Sequence, residues 1–186
     1  LGDVVGKGPS AALTHSGIAA SLESQIKLWE RGAVTTEELL TAVNGTMYDL
    51  YQGTMNSTFA FAEVTRDGKA RLAAGGNHWL HINSKKSLSV PITGRSLLGL
   101  KPDFAVQVRE LNLEAGDWLV CFTDGVLEGG RPISRFIRAV QGEVATLDNE
   151  RLKSLLTEAG KDQVHPDDAS ILMLRFEGKK GVDQAA

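Results

Sequence analysis

Apolar and polar positions follow two different periods along this 186-residue chain. In the first part, Ala11, His15, Ile18, Leu22, Ile26 and Trp29 recur at spacings of three and four. That spacing predicts a helix with one buried stripe. The glycines at 2, 6 and 8, followed by Pro9, read as a tight loop before it, and Gly32 falls where a helix terminator would stand. Thr35 opens a second predicted helix. Glu38, three residues on, completes a capping box, and Leu40, Val43, Met47 and Leu50 form the apolar stripe.

The period then becomes strand-like. Segment 57–64 is rich in Phe and Ala, Asp67-Gly68 is a hairpin signal, and 69–74 returns as the second strand. Segments 79–83 and 88–92 read as further short strands. Val106, Val108, Leu111 and Leu113 are apolar positions among polar ones. Ala115-Gly116 turns the chain into 117–123, where Trp118-Leu119-Val120-Cys121-Phe122 reads as a central strand. Segments 133–140 and 149–159 look helical, and Leu152, Leu155 and Leu156 give the second an apolar face. Segment 169–176 predicts a final buried strand. The Gly- and Lys-rich tail, 177–186, is expected to fray. Helices in pairs and antiparallel strands in runs favour an α+β layered fold over alternating βαβ units.

Composition narrows the partners. Hydrophobic residues make up 42% and charged residues 23%, an ordinary balance for one globular domain. A net charge of -3 argues against a surface built for nucleic acid or anionic lipid. It leaves room for a phosphorylated substrate, because a bound metal supplies local positive charge. Cys121 is the single cysteine, so no internal disulfide forms, and inside an apolar strand it reads as core. Together with the lack of a signal peptide or a bilayer-length apolar run, this favours a cytoplasmic location.

The candidate chemistry lies in aspartates at predicted strand ends. Asp3 enters the Gly-rich loop, Asp124 follows the strand ending at Thr123 and precedes Gly125, and Asp167 and Asp168 precede the last strand. Such carboxylates can converge on one sheet edge, where Mg²⁺ or Mn²⁺ takes hard oxygen ligands. Each aspartate taken singly also has a turn reading, since Asp hydrogen-bonds its own backbone. Spacing alone does not decide between the two.

Five motifs, in order, carry a family resemblance. Gly2-Asp3-Val4-Val5-Gly6-Lys7-Gly8, continued by Ala11-Ala12-Leu13, looks like a "GDVSGKG" loop. Ser57-Thr58-Phe59-Ala60-Phe61 sits where a "TxFY" strand would, and Ala74-Gly75-Gly76-Asn77 resembles "AGHN". Leu98-Gly99-Leu100 through Asp124-Gly125-Val126-Leu127-Glu128 reads like "LGL…PGDxLLLYTDGVTE", and Asp167-Asp168-Ala169-Ser170-Ile171-Leu172 resembles "DDITLL". The chain thus resembles the PPM family of metal-dependent protein serine/threonine phosphatases, in the branch typified by SpoIIE and RsbU.

That resemblance implies two antiparallel β-sheets packed face to face, with helix pairs outside, over residues 1–176. It implies that Asp3, Asp124 and Asp167 are the catalytic metal ligands, helped by the backbone carbonyl of Val4. Asp168 is a further candidate ligand, the family's ligand usually being the first of the pair. Two Mn²⁺ or Mg²⁺ ions are expected in the complete domain. The implied reaction is direct hydrolysis of phosphoserine or phosphothreonine by a metal-activated water, without a phospho-enzyme. The implied substrate is a STAS-type anti-anti-sigma protein in a partner-switching pathway, with a sensor or receiver domain upstream and a homodimer as the common assembly. A catalytically silent module that binds a signalling partner through the same fold is the rival reading.

Two departures bear on this. The family's further metal-binding carboxylate, in a "GGD" motif, and most of the strand leading into Asp3 are expected before Leu1, so the site of the chain as written is expected to be incomplete, with weak metal binding. Gly76 stands where the family often has His, and His78 two residues later is a candidate substitute or a surface residue. Lys7 is placed to meet an anionic substrate or to stand as a solvated loop lysine. Its loop lacks the spacing of a nucleotide-binding P-loop. His15 is expected to pack at the first helix's interface, and His165 to sit in the loop before Asp167.

Overall fold

The computed structural model of the chain describes residues 1–83, 88–94, 96–123, 125, 142, 148, 150–151, 154 and 170–178. Among them are two long helices, α1 (Pro9–Glu30) and α2 (Thr36–Tyr51). Seven strands follow: β1 (Phe59–Val64), β2 (Lys69–Gly75), β3 (His78–Ile82), β4 (Leu88–Thr93), β5 (Val108–Asn112), β6 (Trp118–Phe122) and β7 (Ile171–Arg175). They form two antiparallel sheets, ordered β1-β2-β5 and β4-β3-β6-β7, so the expected α+β class is observed. The helical segment expected at 133–140, and the tail beyond Gly178, fall outside the described residues; of the segment expected at 149–159 only Glu150, Arg151 and Ser154 are described, and these are helical.

The chain divides into two compact units. The first comprises Leu1–Phe61, Ala73–His78 and Ile92–Arg109. Pro9 starts α1 with a preset φ after Gly8, at a position whose N–H would be unpaired in any case. Gly32 ends it in a Schellman arrangement: its N–H donates to Trp29 O at 2.8 Å, and that of Ala33 to Leu28 O at 3.0 Å. The capping box of α2 forms as predicted. Glu38 N–H donates to Thr35 Oγ1 at 3.2 Å, and Thr35 N–H to Glu38 Oε2 at 2.8 Å. The carboxylate also accepts the Thr35 hydroxyl at 3.0 Å; this bond and the one from Thr35 N–H favour the ionised form and hold the Glu38 pKa below its usual value, the backbone bond contributing most.

Leu39, Leu40, Val43 and Met47 of α2 form this unit's core with Phe59, Ala73 and Leu98. Ile18, Leu22, Ile26 and Trp29 of α1 pack on it only half-buried. Two stripe positions differ from expectation. His15 is exposed, and Thr14 is the buried residue of α1, its hydroxyl donating to Ser10 O at 2.9 Å. Leu50 is 63% exposed, because the last turn of α2 runs past the core before Gln52 ends it in a left-handed cap. Leu39 and Asn44 take the buried places instead.

The second unit comprises Ala62–Leu72, Trp79–Pro91 and Glu110–Ala186. The Asp67-Gly68 turn joins β1 to β2 as predicted, with Thr65 N–H donating to Lys69 O at 2.9 Å. Leu119, Val120, Cys121 and Phe122 of β6 are buried, in line with a central strand. Asp117 closes the turn before β6. Its Oδ2 accepts Glu114 N–H at 3.1 Å and lies 2.9 Å from His81 Nε2. Strand β7 departs from its prediction. Among the described residues it is the last strand of its sheet, and Ile171 and Leu172 are 38% and 40% exposed, so it is an edge strand there and not a buried one.

Candidate metal centre

The first unit gathers three of the five motifs around Asp3. Leu1–Val5 runs extended and antiparallel to Asn56–Ala60. Leu1 N donates to Ala60 O at 3.0 Å, Ala60 N to Leu1 O at 2.7 Å, Thr58 N to Asp3 O at 2.8 Å and Val5 N to Asn56 O at 2.9 Å. On its other side, Ser57 exchanges two bonds with Leu98, at 3.0 and 2.9 Å. Leu98-Gly99 is tied in turn to α2, where buried Asn44 accepts Gly99 N–H at 2.8 Å and donates to Lys101 O at 3.0 Å. Core helix, Leu98 segment, Ser57 strand and Asp3 strand are thus joined in series.

The bond pattern decides what Val4 offers. Val4 bridges Ser57 as a non-hydrogen-bonded pair, with Asp3 O and Val5 N making the bonds on either side. Alternation along an antiparallel strand then turns the N–H and C=O of Val4 toward the opposite edge. Asp3 is half-buried, and Val5 and the Gly6-Lys7-Gly8 loop beyond it are exposed. A half-buried carboxylate and a neighbouring carbonyl turned to that edge are two hard oxygen donors of the kind Mg²⁺ or Mn²⁺ takes, so the described residues fit part of such a site.

Side chains complete the surroundings of Asp3. Its N–H donates to Thr58 Oγ1 at 3.0 Å, and its carbonyl accepts the Ser57 hydroxyl at 2.7 Å. Asn77 Nδ2 donates to Thr58 Oγ1 at 3.2 Å, which brings the Ala74–Asn77 motif to the same point. The main chain approaches closely here. A Cβ on Gly2 would lie 2.8 Å from Thr58 O. At Gly76 the φ is +73°, and a Cβ would meet Leu97 Cδ2 at 2.6 Å and Thr58 Cγ2 at 2.8 Å. Glycine in place of the expected histidine is therefore a packing requirement of this chain. His78 is half-buried at the start of β3.

Asp124, Asp167, Asp168 and His165 lie outside the described residues. Their sequence neighbours do not: Thr123 N–H donates to Ser170 O at 3.0 Å, and Ser170 N–H to Thr123 Oγ1 at 2.9 Å, extending the β6–β7 ladder. Among the described residues, no three His, Cys, Asp or Glu side chains gather as a metal site. The motifs pointed to Asp3. The roles of Ser57, Thr58, Asn77 and Asn44 were not read from the sequence, although polar residues between buried apolar neighbours were the available signal.

Comparison with known proteins bears on the family and the fold. The family model for stage II sporulation protein E (SpoIIE) matches residues 1–177. The fold matches a Mycobacterium tuberculosis structure of RsbU and RsbW domains at TM-score 0.74 and 24% identity, covering 96% of this chain and 51% of that one. It matches the PP2C phosphatase domain, with a fragment of the regulatory domain, of the cell fate determinant SpoIIE from Bacillus subtilis, also at TM-score 0.74, with 18% identity and coverage of 96% and 53%. The chain thus spans about half the length of both. The catalytic domain of the serine/threonine protein phosphatase PstP in complex with two manganese ions matches at TM-score 0.62 and 13% identity, covering 92% of this chain and 84% of that one. No curated protein sequence matches. At these identities the structural likenesses establish the fold, while the family match runs over nearly the whole chain. With five motifs in order and a family match over residues 1–177, the chain belongs to the SpoIIE family, as a PPM-type (PP2C-type) phosphatase domain of the SpoIIE/RsbU kind.

Proposed function

We propose that this chain hydrolyses phosphoserine or phosphothreonine on a protein, with a STAS-type anti-anti-sigma regulator as substrate, in a bacterial partner-switching pathway in the cytoplasm. The observation that carries the reading is the convergence of the Asp3, Thr58 and Asn77 motifs at one point, with the carbonyl of Val4 turned to the edge away from Ser57. Residues 1–176 are the phosphatase domain in this reading, 177–186 a tail. A sensor or receiver domain upstream and a homodimeric assembly complete it. The relative that carries RsbU and RsbW domains in one chain supports the partner-switching context, and the manganese-bound PstP domain supports Mn²⁺ or Mg²⁺, two ions in the complete site. No described helix is long and apolar enough to cross a membrane.

Asp3, the carbonyl of Val4, Asp124 and Asp167, with Asp168 beside it, would hold the metals. When bound, these activate the attacking water and neutralise charge on the phosphoryl oxygens. The chain's own residues supply position and charge. Asp3 is held on its backbone by Ser57 and Thr58. Lys7, exposed between two glycines, would attract the phosphate. Because water is the nucleophile, no Ser or Cys is needed, and Cys121 is buried in β6.

The test is phosphate release from a phosphorylated STAS protein by the intact protein, with and without Mn²⁺. Mn²⁺-dependent release that is lost on Asp3→Asn or Asp124→Asn is the expected result. Tight binding of the phosphoprotein without release would make this a silent binding module, and release independent of both aspartates would remove the site assignment.

A further inference from the structure

We propose that Ser57, Thr58 and Asn77 form a positioning clamp for the metal loop, holding the Asp3 main chain so that the Asp3 carboxylate and the Val4 carbonyl meet a divalent cation together. The inference rests on the metal-dependent reading above and adds residues that are not themselves ligands. A strand pairing needs only the main-chain bond, which Thr58 N–H already makes to Asp3 O at 2.8 Å. Two side-chain contacts come on top of it. Thr58 Oγ1 takes Asp3 N–H at 3.0 Å. The Ser57 hydroxyl, also 2.8 Å from the Thr58 carbonyl, reaches Asp3 O at 2.7 Å. Both polar groups of one residue's main chain are therefore gripped by two consecutive side chains.

The clamp is itself held. A hydroxyl has two lone pairs and one proton. Those of Thr58 accept Asp3 N–H and Asn77 Nδ2, and Asp3 O lies 3.5 Å away, at the limit for its proton. Asn77 thus fixes the rotamer of Thr58, and Thr58 fixes Asp3. Ser57 is 3% exposed and Asn77 2%, so these polar groups stand away from water, beside the apolar Phe59 and Ala60. Gly76 leaves the space in which the methyl of Thr58 sits. Groups that orient metal ligands from behind matter because a strongly hydrated cation gives up water only to donors already in place.

The measurement is Mn²⁺ affinity in the intact protein, read from the electron paramagnetic resonance of free Mn²⁺, alongside thermal melting. Thr58→Val keeps shape and removes both hydroxyl contacts. It is expected to weaken Mn²⁺ binding by about tenfold or more, the range for groups that orient metal ligands. Thr58→Ser restores the hydroxyl and is expected to bind within about twofold of wild type, by the same argument. Asn77→Leu is expected to weaken binding while leaving the Asp3 bonds available, and it carries the test alone if Thr58→Val does not fold. A purely structural role predicts lower melting temperatures with unchanged Mn²⁺ affinity in the folded variants, and that result overturns the clamp. Asp3→Asn separates the two levels. If it loses Mn²⁺ while Thr58→Val and Asn77→Leu do not, the clamp is wrong and the phosphatase reading stands. If Asp3→Asn binds Mn²⁺ like wild type, the phosphatase reading itself falls.

Discussion

Thr58 shows how much one hydroxyl can decide. It accepts from two donors that lie 55 and 19 residues away, the N–H of Asp3 and the amide of Asn77. Beside it, Gly76 has a φ of +73° and no room for a Cβ. Gly76→Ala is therefore expected to lower stability by about 1–3 kcal/mol, through strain and overpacking, as urea denaturation would measure. Unchanged stability would mean that Thr58 and Leu97 yield freely. Asp124 makes the opposite case. In the proposed site, Asp124→Asn would remove one ligand charge and so weaken metal binding, while losing one charge from a carboxylate cluster would not destabilise the metal-free fold. Mn²⁺-dependent hydrolysis is expected to vanish in this variant with little change in melting temperature. Full turnover at limiting Mn²⁺ would end its assignment as a ligand.

At the scale of elements, α2 is fixed at its start by its own sequence and along its length by the fold. The capping box of Thr35 and Glu38 is local. Because its bonds depress the Glu38 pKa, their stabilisation is fully present above the usual value of 4.5 and is lost as pH falls through the lower folded value. The melting-temperature gap between wild type and Glu38→Gln is expected to be constant from neutral pH down to that range and then to close as the carboxylate protonates. A gap that widens with acid would contradict the cap. Asn44 is the non-local counterpart. It is buried, and it satisfies one N–H and one carbonyl of the Gly99–Lys101 segment. Asn44→Leu leaves both unpaired and is expected to cost roughly 2–6 kcal/mol, at about 1–3 kcal/mol per orphaned group. A chemical denaturation curve would show it. Because Leu98 is joined to Ser57, the same change is also expected to loosen the strand beside Asp3.

For the molecule as a whole, metal binding and stability are linked. An ion that binds only the folded state stabilises it by about 2.7 kcal/mol at a hundred times its Kd. For a protein of this length that corresponds to roughly 5–10 °C in Tm. Mn²⁺ is expected to raise the Tm of the intact protein by this order, and chelation to reverse it. The rise should shrink in Asp3→Asn and Asp124→Asn. An equal rise in all three proteins would place the bound Mn²⁺ elsewhere.

What the sequence determined by itself was short-range. Thr35 and Glu38 marked the start of α2, Asp67-Gly68 the hairpin, Gly32 the end of α1, and the run from Trp118 to Phe122 the buried strand. Each rests on bonds or periodicity within a few residues, where local preference and final structure agree. The order of the five motifs was legible too, and with it the family. Tertiary structure alone decided the rest. It chose Thr14 over His15 as the buried residue of α1, left Leu50 exposed, and made β7 an edge, because burial depends on which elements arrive opposite a face and not on the face's own pattern. It also brought Thr58 and Asn77 to Asp3. That meeting depends on strands pairing across long stretches of chain, which no local spacing encodes.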